Sequence, residues 1–176
     1  MSAAVPFMLI FRFFHILAGV LWVGSAFTFL VFVGPSAGEL GPAAGPIMNA
    51  IVEKRRFAKV ITGIAITTVL AGWILWIRNA LQAASLGDWV SSRFGLVLTI
   101  GGVLATVALI AGAIGVGPNA ERMVRLGNEI GAGGAPPSPE QVSEMQRLQG
   151  ALKRNGQRDL ILLILAVIAM ATARYW

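Results

Sequence analysis

Four long apolar runs, residues 7–33, 60–77, 94–116 and 160–173, punctuate this chain, with polar or Gly/Pro-rich connectors between them. A hydrocarbon core about 30 Å thick takes roughly 20 apolar residues of helix. The first three runs approach or exceed that length. The fourth, fourteen uncharged residues after Asp159, reaches it when its helix is extended at both ends. The pattern predicts an all-α integral membrane protein, a four-transmembrane-helix bundle with spans at about 6–33, 58–78, 93–117 and 158–175.

The connectors carry their own signals. Residues 34–46 (GPSAGELGPAAGP) read as a cytoplasmic link, and residues 47–59 as an amphipathic start to the second helix. Gly87 and Asp88 mark a tight turn. Gly117 and Pro118 predict a kink or end in the third helix. Residues 119–130 then read as a polar helix, with the loop tip at 131–137 (GAGGAPP). Ser138, Pro139 and Gln141 give a helix start: a cap, a proline at the first helical position and a capping-box glutamine. From there a helix can run to Tyr175, about 55 Å at 1.5 Å per residue, with Gly150 and Gly156 as its weak points. Cytoplasmic extensions of helices 3 and 4 would thus form a hairpin over about 119–157, and residues 1–176 make a single membrane domain.

Composition fits this reading, with 56% hydrophobic and 12% charged residues. Basic residues orient the bundle, because Lys/Arg-rich short loops stay cytoplasmic. The first and third connections hold ten of the fourteen Lys and Arg residues. The other side holds Arg12, Arg78, Arg93 and Arg174. Both termini are therefore expected outside, in the cell's inner (plasma) membrane. The net charge of +6 is a topology signal that needs no nucleic-acid partner. Trp73, Trp76, Trp89, Tyr175 and Trp176 fall at the expected outer boundary, whereas Trp22 sits mid-span in a packing position. No basic segment precedes the first span and Arg12 lies inside it, so a retained helix is expected rather than a cleaved signal peptide. With no cysteine in the chain, disulfides, thiolate metal sites and cysteine nucleophiles are excluded.

The candidate chemistry centres on His15, the chain's one histidine, inside the first apolar run. An ionisable group at membrane depth is a functional-site candidate by default. Met8, Phe11, Arg12, Ala18, Gly19, Trp22 and Ala26 share its helix face. Small residues there admit a flat cofactor or a neighbouring backbone, and Trp22 can stack on either. The competing reading is a histidine bonded to another helix's backbone or hydroxyl. Arg12, one turn before His15, and Arg93, opening the third helix, are candidates to clamp carboxylates such as haem propionates. Arg78 and Arg174 end their spans and read as lipid-phosphate anchors. Met170 lies at a depth that permits a His/Met axial pair on haem, although methionine is also a common packing residue. The methionines at 1, 8, 48, 123, 145 and 170 are scattered, without the paired spacing that holds Cu(I). Small residues four apart in the third helix, such as Gly101 with Ala105 and Ala108 with Gly112, permit close helix contact. No Ser/His/Asp set, carboxylate pair, phosphate-binding loop or metal-spaced His cluster supports a hydrolase or ATPase.

FHILAGVLWVG followed by a Gly-Pro break, RRFAKV leading into the second helix, GVGP ending the third and the terminal AMATARYW together resemble the copper resistance protein D (CopD-like) superfamily. Its relatives include uncharacterised small membrane proteins, the membrane part of certain urate oxidases and the HemJ-type protoporphyrinogen oxidases. The resemblance extends over nearly the whole chain, through short apolar motifs that specify fold better than function. HemJ-type members use a first-helix histidine in haem binding, which His15 matches, and a lysine near the start of the third helix. Here DWVSSRFGLVL places Arg93 there instead. Arginine stays charged and cannot serve as a neutral nitrogen ligand or proton acceptor as lysine can, so this departure puts the oxidase activity in doubt. The leading expectation is b-type haem bound near the outer leaflet by His15, for electron transfer or membrane redox chemistry. With one histidine per chain, bis-His ligation needs a homodimer or another partner. The alternatives are a non-catalytic assembly subunit of a larger membrane complex and copper transport or handling.

Overall fold

A computed structural model describes residues 4–176. Every regular element among them is helical: α1 (Ala4–Thr28), α2 (Gly34–Leu40), α3 (Gly45–Asn49), α4 (Phe57–Ala80), α5 (Leu86–Ser91), α6 (Arg93–Ala111), α7 (Gly117–Ala132) and α8 (Pro139–Thr172), joined in places by short π or 3-10 turns. Four helical stretches, Pro6–Lys54, Phe57–Ala80, Arg93–Ala132 and Pro139–Tyr175, are long and apolar enough to cross a membrane. These residues group into two compact units.

The first unit comprises Met1–Gly24, described from Ala4, with Gly63–Leu109 and Leu160–Trp176. Its helices pack in chain order. On α4, the Thr68–Gly72 turn meets His15 and Gly19 of α1; Trp73 and Trp76 bond Thr106 and Thr99 of α6; and Gly101 of α6 lies against Ala169 and Met170 of α8. In the first two pairs the residue numbers run oppositely, so α4 is antiparallel to both α1 and α6. The interior is built mostly from small residues, including Ala18, Ala65, Ala71, Gly95, Gly101, Ala108 and Ala166, with Trp22, Val69 and Leu163. Large aliphatic and aromatic residues point outward: Val20 is 65% exposed and Leu9 60%, whereas Ala65 is 2% exposed. Water-soluble proteins rarely expose so continuous an apolar surface. Small residues at contacts and large ones outside are the pattern of helices solvated by hydrocarbon, where packing rather than the hydrophobic effect joins them.

Most side-chain polar groups described in this unit are bonded within it, with Trp89 Nε1, buried without a partner, as an exception. Thr67, Thr68, Thr99, Thr106 and Thr172 each donate a hydroxyl to the carbonyl four residues earlier. Thr106 and Thr99 also accept Trp73 Nε1–H at 3.0 Å and Trp76 Nε1–H at 2.9 Å. Trp73, Trp76, Trp89 and Phe94 form a run of edge-to-face contacts. Gly87 and Asp88, expected as a turn, instead belong to α5, because Ser85 caps it by accepting Asp88 N–H and donating to Asp88 Oδ2. Ser92 caps α6 in the same manner through Gly95 N–H.

The second unit comprises Ser25–Thr62 and Ile110–Asp159. Residues 34–46, expected as a link, are largely helical here. Pro35, Pro42 and Pro46 each stand at the first positions of a short helical segment, where the helix type changes within the run. Residues 47–54 continue that run rather than beginning α4. The break comes at Arg55 and Arg56, where Arg56 adopts φ 52°. At Gly117-Pro118 the third helix neither ends nor needs a sharp break. A five-residue π turn, Gly112–Val116, precedes it, as Phe29–Val33 precedes Gly34-Pro35. Proline lacks an N–H and collides with the carbonyl four residues back, and widening the preceding turn relieves the collision. Phe29 stacks on Phe57, ring centroids 4.5 Å apart. The cap expected for α8 forms: Gln141 N–H donates to Ser138 Oγ and Gln141 Oε1 accepts Ser138 N–H. The helical run continues past Gly150 and Gly156 to Tyr175.

Candidate functional site

His15 is half-buried on α1, and its Nδ1 lies 2.8 Å from the main-chain oxygen of Thr68 on α4. A carbonyl only accepts, so Nδ1 carries the proton and donates it. In the neutral ring, Nε2 is then left with a free lone pair. Thr68 is itself buried, and its hydroxyl is turned back to Ile64.

The ring reaches that carbonyl because position 72 has no side chain. A Cβ on Gly72 would stand 2.8 Å from His15 Cε1 and 2.9 Å from Nδ1, inside ordinary van der Waals distance. On α1, a Cβ on Gly19 would meet the Thr68 methyl at 3.5 Å, an ordinary contact. The imidazole thus sits edge-on against one turn of α4, held by one hydrogen bond and one glycine.

The other expected site residues occupy separate places. Arg12 is exposed one turn before His15, and Trp22 lies two turns after it, 5% exposed. Arg93 is exposed at the first position of α6. Met170 is half-buried on α8 with its methyl against Gly101 of α6, where a Cβ would stand 3.2 Å away. Among the described residues, no hydrogen bond or ion pair joins any of these four to His15; its bond goes to Thr68. Met1 lies outside the described residues. No group of three or more His, Cys, Asp and Glu that could hold a metal occurs among the described residues.

Thr68 and Gly72 are the partners that sequence reasoning missed. A main-chain acceptor has no residue signature, and Gly72 is one small residue in an apolar run. The Gly115–Asn119 and Gly112–Asp159 contacts of the second unit were equally unmarked. No protein-family model, no curated protein and no solved structure matches this chain.

Proposed function

We propose that this chain is a four-span membrane protein of the CopD-like type that binds b-type haem, which His15 would hold through Nε2. The carrying observation is the Nδ1–H···O=C bond to Thr68. Metal-bound imidazoles characteristically donate their second nitrogen to a carbonyl or carboxylate, which fixes the tautomer and raises the basicity of the ligating nitrogen. Gly72 gives the ring room to take that position. Haem iron in such a setting supplies one-electron exchange. Arg12 and Arg93 would be the candidates for its propionates, Trp22 for a stacking wall and Met170, or His15 of a second copy, for a second ligand, although among the described residues none of these four is bonded to His15. The outward-facing large apolar residues support insertion in the bilayer. The concentration of Lys and Arg in the first and third connections supports external termini, with the α7–α8 hairpin in the cytoplasm of an inner membrane.

The optical spectrum of the detergent-purified full chain tests this. A Soret band that His15→Ala removes, without loss of helix content, is expected. A colourless preparation from haem-replete cells contradicts it. One observation favours a second reading, a non-catalytic assembly subunit: the His15–Thr68 bond links α1 to α4 and gives the histidine a packing role without a cofactor. That reading predicts a colourless protein destabilised by His15→Ala. Copper handling finds neither a donor cluster among the described residues nor paired methionines.

A further inference from the structure

Asp159 is a second ionisable group in an apolar setting, in the other unit and independent of haem. It is 7% exposed, and its Oδ1 is buried without a hydrogen-bond partner among the described residues. It faces Gly112, which opens the π turn Gly112–Val116; a Cβ there would stand 3.6 Å from Oδ2 and 3.9 Å from Oδ1. One turn earlier on α8, Asn155 faces Gly115 in the same way, with Nδ2 3.2 Å from the corresponding point. The carbonyl of Gly115 already accepts Asn119 Nδ2 at 2.6 Å. Two glycines therefore bare the wide turn to a carboxyl and two amides.

Among the described residues, no cation is paired with this carboxyl. The segments 25–33 and 110–118 contain no ionisable residue. Lys59 on α4 and Lys153, Arg154 and Arg158 on α8 are exposed, and the salt bridges among the described residues are Arg122–Glu129 and Arg147–Glu144. An ionised carboxylate buried with an unpartnered oxygen is among the costliest arrangements a protein can hold. A metal cation would need several oxygens around it, whereas a proton needs only one.

We infer that Asp159 is a proton-binding site, a buried carboxyl that takes a proton from water and returns it, opposite the π turn. The exchange makes and breaks one O–H bond: hydronium gives its proton to the carboxylate and leaves as water, and the reverse releases it. Proton relays are among the roles that intramembrane carboxyls serve in membrane proteins.

Dicyclohexylcarbodiimide, an apolar reagent whose C=N bond adds the O–H of a protonated carboxyl, reads the site directly. With the full chain in phosphatidylcholine vesicles, peptide mass spectrometry is expected to find the adduct on Asp159 in preference to exposed Asp88 and Glu129. Labelling should decline as pH rises and be absent in Asp159→Asn. Infrared spectra of the unmodified wild type should show a protonated-carboxyl C=O band that moves in heavy water and is missing in Asp159→Asn. Wild-type protein lacking that band at every pH at which it stays folded overturns the inference. Protection from the reagent by sodium but not potassium also overturns it, since the occupant would then be a metal cation.

Discussion

Replacing Gly72 with alanine isolates the geometry on which the His15 site depends. The added methyl would stand 2.8 Å from Cε1 and 2.9 Å from Nδ1 of a ring whose other constraint is a 2.8 Å bond to Thr68 O. The ring cannot withdraw without lengthening that bond, and the methyl is fixed to the helix backbone. Helix propensity favours alanine by about 0.8–1 kcal/mol, while the lost hydrogen bond costs about 0.5–1.5 kcal/mol. These roughly cancel, leaving the overpacking cost of about 1–3 kcal/mol as the net destabilisation. Gly63→Ala is the matched control, because Gly63 lies in the same helix with nothing within 4 Å of its Cβ position. That variant should be neutral or slightly stabilised. Equilibrium unfolding in mixed detergent micelles compares the two, with ring 15N shifts of the one histidine reporting the Nδ1–H tautomer. Equal stabilities for the two variants, with the tautomer signal intact in Gly72→Ala, would refute the reasoning.

Trp73→Phe and Thr106→Val should show a coupling of about 0.6 kcal/mol in a double-mutant cycle, the usual size for hydrogen bonds between membrane helices, read by the same unfolding assay. Ser138→Ala removes the cap of α8 and should cost about 1 kcal/mol, with faster amide exchange over the first turn from Pro139. Pro118→Ala frees the turn before it from the clash that widens it. Residues 112–116 should then close to α-helix, and spin-label distances across that turn should report the change in helical phase.

The sequence shows the helices and their outer ends because hydrophobic runs and caps are local. Ser138, Pro139 and Gln141 state the start of α8 in full, and His15 stands out as the one ionisable imidazole in hydrocarbon-like surroundings. What a single sequence does not display is non-local or main-chain in origin. The acceptor for His15 is a carbonyl, and Gly72 becomes meaningful only once α1 lies against it. Gly34-Pro35 and Gly117-Pro118 read as breaks, because proline is known to interrupt α-helix, but a π turn accommodates it and the helical run persists. Gly/Pro content over 34–46 similarly suggests a link, although each proline falls where the helix type changes within the run. Asp159 looked like the polar edge of the last apolar run, and only its packing against Gly112 shows it to be buried. The Asn155–Asp159 pair, one turn apart and facing glycines, was the available signal.

The single histidine allows one decisive measurement. Uniform 15N-histidine labelling places isotope in one side chain, so pulsed electron paramagnetic resonance of the ferric, haem-loaded full chain can read ligation without ambiguity. The account predicts a ring-15N hyperfine coupling to iron of the size given by direct coordination, absent from His15→Ala. Haem bound with no 15N coupling from the labelled ring would contradict it, and His15 would then be the bond that packs α1 onto α4.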